Sequence, residues 1–189
     1  MSAVQQLGPH SLEEWEALEE DDARELVDGF LEEGEVPDLV HEVTVSWLIV
    51  ALTAYFRPLG GIVVGSGLKF ALNPGRGRIP DLAVFVGALP NARGLVKRPA
   101  DIMIEVASPT PSDQRRDRIA KVEEYARFGA AQYWIVDPAM RAIELLTLTD
   151  GQYVRAAQAA EGVVAVPGCP GLVLDLDALW AELDRVIAG

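Results

Sequence analysis

The sequence predicts a mixed α/β protein, a sheet with helices packed against it, and three observations carry that reading. Strand-like and helix-like stretches follow one another in the order β-α-β-β-β-α-β-β along the 189 residues. Asp101 to Ala107 is an almost unbroken apolar segment, the pattern of a central strand covered on both faces, and Gln132 to Asp137 reads as the next strand. Between them lies a stretch that reads as a helix from roughly Asp113 to Phe128.

Each element has a local reason. Ser11 followed by Glu14 forms a capping box that opens a short helix through Trp15 and Leu18. Apolar residues around Asp28-Gly29 predict a hairpin from Glu25 to Glu32. Val36 to Arg57 reads as the longest helix, with Val40, Val43, Trp47 and Val50 near helical spacing and Pro58 and Gly60-Gly61 as its stop. Ile62 to Leu72 is β-like, with a bulge or a close backbone approach expected at Gly65 and Gly67. Residues 73–78 read as a turn leading into a strand from Ile79 to Val86. After the strand ending at Ala107, Ser108-Pro-Thr-Pro-Ser-Asp sets up a helix from Asp113 to Phe128, stopped by Gly129. Arg141 to Thr149 and Gln152 to Arg155 form a hairpin turning at Asp150-Gly151. Asp175 or Asp177 caps a last helix that ends near Ile187.

Composition narrows the function classes. Half the residues are apolar and the net charge is −13, a globular chain that should neither coat nucleic acid over its whole surface nor lie on an anionic membrane. The single Cys169 excludes an internal disulfide and a cysteine-based zinc cluster, and His10 with His41 cannot make a three-histidine site. No run approaches 18 consecutive apolar residues and the N-terminus lacks a signal-peptide pattern, so the expectation is a soluble, cytoplasmic, single-domain protein. Charge is uneven: residues 1–42 hold 14 acids, whereas residues 69–127 hold 11 bases against 7 acids. That window suits either a polyanion-facing surface or an ordinary solvated one.

Three charged residues occupy positions where the pattern calls for apolar ones or none. Asp81 follows Pro80 at the head of a strand, Glu105 sits inside a central strand, and Lys121 lies mid-helix. An ionised Glu in a central strand is costly unless paired or bound to a cation. Carboxylates converging from neighbouring strands would bind a hard divalent cation, and an ammonium beside it would stabilise phosphoryl-transfer charge. Simpler roles fit each residue alone: a turn contact for Asp81, an ion pair with Arg115, Arg116 or Lys121 for Glu105, and an i−4 bridge to Asp117 for Lys121.

The run Asp101-Ile-Met-Ile-Glu-Val-Ala-Ser-Pro-Thr, followed by Asp113, Asp117, Lys121, Tyr125, Gly129 and Tyr133-Trp-Ile-Val-Asp-Pro, closely resembles the Uma-two family of endonucleases. Glu25-Leu-Val-Asp-Gly and Ile79-Pro-Asp-Leu fit the same family, and the resemblance spans roughly Glu25 to Arg155. The family belongs to the PD-(D/E)XK nuclease superfamily. The resemblance therefore implies a restriction-endonuclease-like mixed central sheet flanked by helices with extra β-hairpins. One domain over 1–189 is expected, with a core at about 24–156 and a C-terminal strand and helix at 171–187.

By resemblance, Asp81 and Glu105 are metal ligands joined by the backbone carbonyl of Val106, with Mg²⁺ (or Mn²⁺) as cofactor. The superfamily lysine two residues after the glutamate is absent, since Ala107 stands there, and Lys121 takes its place from the following helix. Glu25 matches an acidic position near the metals, and His41, Arg78, Arg115 and Arg116 are candidate substrate contacts. The implied activity is Mg²⁺-dependent hydrolysis of DNA, performed by a homodimer. Ala107 and the acidic surface favour the alternative, a catalytically inactive binding or regulatory module of the same fold. A metal-dependent hydrolase of small phosphoesters is a third reading. Tyr133, Trp134, Trp47 and Met103 read as core, and Cys169 has no basic neighbour to activate it.

Overall fold

A computed structural model describes residues 8–19, 22–34, 36–110 and 114–188. The element order is α1 (Leu12–Glu16), β1 (Glu25–Val27), β2 (Phe30–Glu32), α2 (Leu39–Phe56), a 3₁₀ turn, β3 (Ile62–Val64), β4 (Phe70–Asn73), β5 (Arg76–Arg78), β6 (Leu82–Phe85) and β7 (Ile102–Val106). There follow a π-helical turn (Arg116–Ala120), α3 (Lys121–Phe128), β8 (Gln132–Asp137), β9 (Ala142–Thr149), β10 (Gln152–Ala159), β11 (Val163–Ala165), β12 (Val173–Asp175) and α4 (Leu176–Ala188).

Six strands form the central sheet in the order β10-β9-β8-β7-β6-β3. Only β7 and β8 run parallel, joined by the helical crossover, and the other neighbours are antiparallel. Strand side chains alternate between faces, so β7 divides its residues cleanly. Ile102, Ile104 and Val106 join Trp134 and Val136 in the core beneath α2 and α4. Met103 and Ala107 join Tyr125, Tyr133 and Ile135 in the core beneath α3. Glu105, between Met103 and Ala107, therefore faces α3.

The predicted hairpin at Asp28-Gly29 forms, with both residues at positive φ, and so does the one at Asp150-Gly151. The capping box at Ser11 and Glu14 is present. The long helix starts three residues later than predicted because the Asp38 side chain accepts from the His41 amide and caps it. The Asp175 side chain likewise accepts from the Ala178 amide at the head of α4. Residue 113, the predicted start of the crossover helix, lies outside the described residues; the helical turn is present from 114 and Gly129 ends α3 at φ 93°.

Two predictions need correction. The interruption at Gly65 and Gly67 is no bulge: β3 pairs with β6 in the central sheet, whereas β4 pairs with β5 in a separate four-stranded sheet, β2-β1-β5-β4. Residues 73–78 are not merely a turn, because Arg76–Arg78 is a strand of that small sheet. Hydrophobic patterning misses it because its residues are Arg, Gly and Arg. The β11–β12 hairpin was also beyond the pattern, apart from the expected C-terminal strand.

α2 is apolar on both sides, long enough on composition to cross a membrane. Here Val45, Leu48, Leu52 and Phe56 pack into the core, while Val50 is 71% exposed. The small sheet closes over Trp15, which is fully buried with Leu26, Leu31, Ala71 and Leu95. A Cβ on Gly77 would stand 2.2 Å from the Trp15 ring. Gly77→Ala is therefore expected to destabilise the fold by about 1–3 kcal/mol, read as a lower urea midpoint; an unchanged midpoint would mean that Trp15 packs elsewhere.

Candidate active site

β6 and β7 pair with Leu82 opposite Ile104. Continuing that antiparallel register by one residue brings Asp81 opposite Glu105, and directly opposed residues point to the same side. The Asp81 carboxylate accepts a hydrogen bond from the Val106 amide at 2.7 Å, which fixes it against the end of β7. The helix crossing this side supplies Lys121. Its Nζ lies 2.9 Å from Glu105 Oε2 and 3.1 Å from Asp117 Oδ1. The Tyr125 hydroxyl, one turn further along α3, donates to Glu105 Oε1 at 2.7 Å.

Glu25, His41, Ser66, Asp81, Glu105, Arg116 and Lys121 all line one cavity of about 160 Å³. β1 brings Glu25, where two donors hold it: Arg78 Nη1 at 2.6 Å and the Ile79 amide at 2.9 Å. α2 brings His41, whose Nε2 lies 3.3 Å from Asp81 Oδ2 and whose Nδ1 lies 3.3 Å from Glu42.

The electrostatics follow from this crowding. Burial pushes the Glu105 carboxyl well above its usual range; the Lys121 ammonium opposes that, while Asp81, Asp117 and Glu25 add to it. Burial raises the Asp117 carboxyl too, again against Lys121. For Lys121, burial works against the charge, but Glu105, Glu25, Asp117 and Asp81 outweigh it and keep the amine protonated. Burial would likewise raise Glu25, yet Lys121, Arg78 and the Ile79 amide hold it below the usual range.

Desolvation also disfavours the His41 imidazolium, but the contacts to Asp81 and then Glu42 push its pKa up to about 9. Because the folded value lies above the unfolded 6.5, the pair's contribution to stability is complete below pH 6.5 and vanishes as pH rises through 9. The difference in Tm between wild type and His41→Gln is therefore expected to be largest below pH 6.5 and to shrink above 9; a difference that does not vary with pH would rule out the charged pair.

The remaining predicted contacts separate. Arg116 lines the cavity, and Arg115 beside it is exposed. Arg78 is only 1% exposed, and its Nε and Nη2 grip Glu124 at 2.7 and 2.9 Å while Nη1 holds Glu25. It is held among carboxylates and is not one of the residues lining the cavity. Arg76 pairs with Asp28 and Glu124, and Arg118 pairs with Asp137 and Glu144. Much of the basic window is thus neutralised internally.

Sequence reasoning did not place Asp117 or Tyr125 in the site, and it set Ser66 aside because its flanks lack a strand-to-helix turn. Asp117 and Tyr125 stand in the motif that carries the family resemblance, and Asp117 was also visible as an i−4 partner of Lys121, but neither was given a place in the site, since a buried tyrosine reads as core until its hydroxyl is located. Tyr133 and Trp134 are indeed core, both fully buried.

Oxygen donors suited to a hard cation are present on one wall of the cavity. Among the described residues, no three His, Cys, Asp or Glu side chains form a ready metal cage. Mg²⁺ needs none, since it keeps several waters and binds through one or two carboxylates. Asp81 and Glu105 fit that demand.

The family model Uma2, described as "Putative restriction endonuclease", matches residues 10–177. A solved structure titled as a putative nuclease belonging to DUF820, from Anabaena variabilis ATCC 29413, superposes with a TM-score of 0.73 at 19% sequence identity. The alignment covers 93% of this chain and 99% of that one, which shows a shared fold. No curated protein matches the chain significantly. With the family model spanning residues 10–177, well over half of the chain, the chain belongs to the Uma2 family.

Proposed function

We propose that this protein is a Mg²⁺-dependent endonuclease that hydrolyses DNA phosphodiester bonds. The observation that carries the reading is that Asp81, Glu105 and Lys121, from three separate elements, line the same cavity. Asp81 and Glu105, with the Val106 carbonyl, would hold the ion, which supplies charge stabilisation for phosphoryl transfer.

The chain's own residues have distinct tasks. Lys121 presents a protonated Nζ to the reacting phosphate and stabilises negative charge that grows on its oxygens. Arg116, on the cavity wall, and the exposed Arg115 next to it attract and orient the DNA backbone. The Val106 amide and His41 orient the Asp81 carboxylate. Arg78 and the Ile79 amide keep Glu25 ionised at the cavity wall, where it adds to the negative field that attracts a cation. Cutting both strands calls for two copies, so a homodimer is part of the proposal.

The test is plasmid cleavage by purified protein with Mg²⁺ or Mn²⁺, against a chelator control. Nicked or linear DNA that requires the divalent ion is expected. Absence of cleavage with either ion, together with no calorimetric signal for Mn²⁺, would overturn the proposal. That result would favour the second reading, a non-catalytic module. One observation supports the module: Glu105 is already paired with Lys121 at 2.9 Å, and Asp81 with His41 at 3.3 Å.

A further inference from the structure

Lys121 does not approach Glu105 alone. Asp117, four residues earlier, is a buried carboxylate with 2% side-chain exposure, and it shares the ammonium at 3.1 Å. The segment between them is not an ordinary α-helix. Residues Arg116–Ala120 wind as a π turn, in which the Lys121 amide bonds to the Arg116 carbonyl five residues back. Such single-turn bulges recur at functional sites because they re-aim side chains within an otherwise regular helix.

This turn is braced from both sides. On the inner side the Tyr133 hydroxyl donates to the Asp117 carbonyl at 3.1 Å. On the outer side Arg118 donates to Gln114 at 2.7 Å and Asp137 at 3.1 Å, and it also contacts Glu144. Arg155 in β10 holds the second Glu144 oxygen at 2.9 Å. Two arginines and two acids thus tie the turn to β8, β9 and β10. So much anchoring at one irregular turn fixes where Asp117 and Lys121 point.

We infer that Asp117 is a positioning residue for Lys121: it retains the ammonium in the cavity when Glu105 turns its carboxylate to a divalent cation. This inference rests on the endonuclease reading, and it assigns a task to a residue that the sequence offered only as a motif position and as an i−4 bridge to Lys121. With one carboxylate, the ammonium and an incoming cation compete for Glu105. With two, Lys121 leans on Asp117 and stays charged beside the reacting phosphate, while Glu105 is released. Removing the Asp117 charge makes Lys121 an obligate competitor of the metal.

The experiment is calorimetric titration of Mn²⁺ into wild type, Asp117→Asn, Lys121→Gln and the double variant. Asp117→Asn is expected to weaken Mn²⁺ binding roughly tenfold in the wild-type background and to have little effect once Lys121 is gone, the signature of coupling through the lysine. An equal loss in both backgrounds would mean that Asp117 acts on the ion directly, and no loss in either would mean that it has no part; each overturns the inference. Asp117→Glu is expected to restore affinity.

A second measurement needs no variant. The Lys121 ammonium resonance of the intact protein should remain protected from exchange when Mg²⁺ is added. Loss of that protection would show the amine leaving Asp117 and would also overturn the inference. A wild type that binds no divalent ion removes the endonuclease reading as well, which the first titration reports before any comparison.

Discussion

Replacing Asp81 by Asn is expected to abolish DNA cleavage while the fold survives. The amide side chain has the same shape and still offers an oxygen to the Val106 amide, so the 2.7 Å contact can persist. What disappears is the negative charge that would hold a cation opposite Glu105. Removal of one electrostatic contributor to a phosphoryl-type transition state costs about 10²–10³ in rate, and loss of the ion itself costs more. Asp81→Ala is a poorer probe, because it also strands the Val106 amide at about 1–3 kcal/mol. The decisive comparison is cleavage rate against Tm for Asp81→Asn. A variant that melts like wild type and still cuts DNA would remove Asp81 from the chemistry.

Replacing Arg78 by Met is expected to have the largest effect on stability, a loss of about 3–5 kcal/mol. The guanidinium is buried and bound by Glu25 at 2.6 Å and by both Glu124 oxygens at 2.7 and 2.9 Å. Without it two carboxylates remain in a poorly solvated position with lost partners. Glu25 also loses one of the positive groups that keep it ionised. Chemical denaturation measures the loss directly. If stability is unchanged and DNA affinity falls instead, Arg78 belongs to the substrate surface, as the sequence alone suggested.

These two residues illustrate different kinds of legibility. Asp81 could be read from the sequence because a charge heads an apolar strand directly after a proline. Glu105 could be read because one acid interrupts a run of five buried residues. Its side of the sheet was not legible, because both faces of β7 are apolar; the structure puts it with Met103 and Ala107, facing α3. Arg78 could not be read, because an arginine between glycine and isoleucine looks the same on a surface and in a buried network. Its role is decided by Glu25 and Glu124, which lie 53 and 46 residues away in the sequence. The same limit applies to Ile62 to Leu72. Composition marked the segment as β, but the switch between two sheets at Gly65 and Gly67 depends on which partners each half meets.

By itself the sequence determined the elements whose causes are local: the Ser11 capping box, the hairpins at Asp28-Gly29 and Asp150-Gly151, the stop at Gly129 and the buried runs of β7 and β8. It also marked the three charged residues that break those patterns. Only the tertiary structure decided which charges share a cavity and which merely neutralise one another. It set Lys121 between Glu105 and Asp117, tied Arg78 to Glu25 and Glu124, and gave Asp117 and Tyr125 their places. Backbone preferences act over a few residues, whereas the energy of a buried charge depends on every group brought within a few ångströms, and folding alone selects those groups.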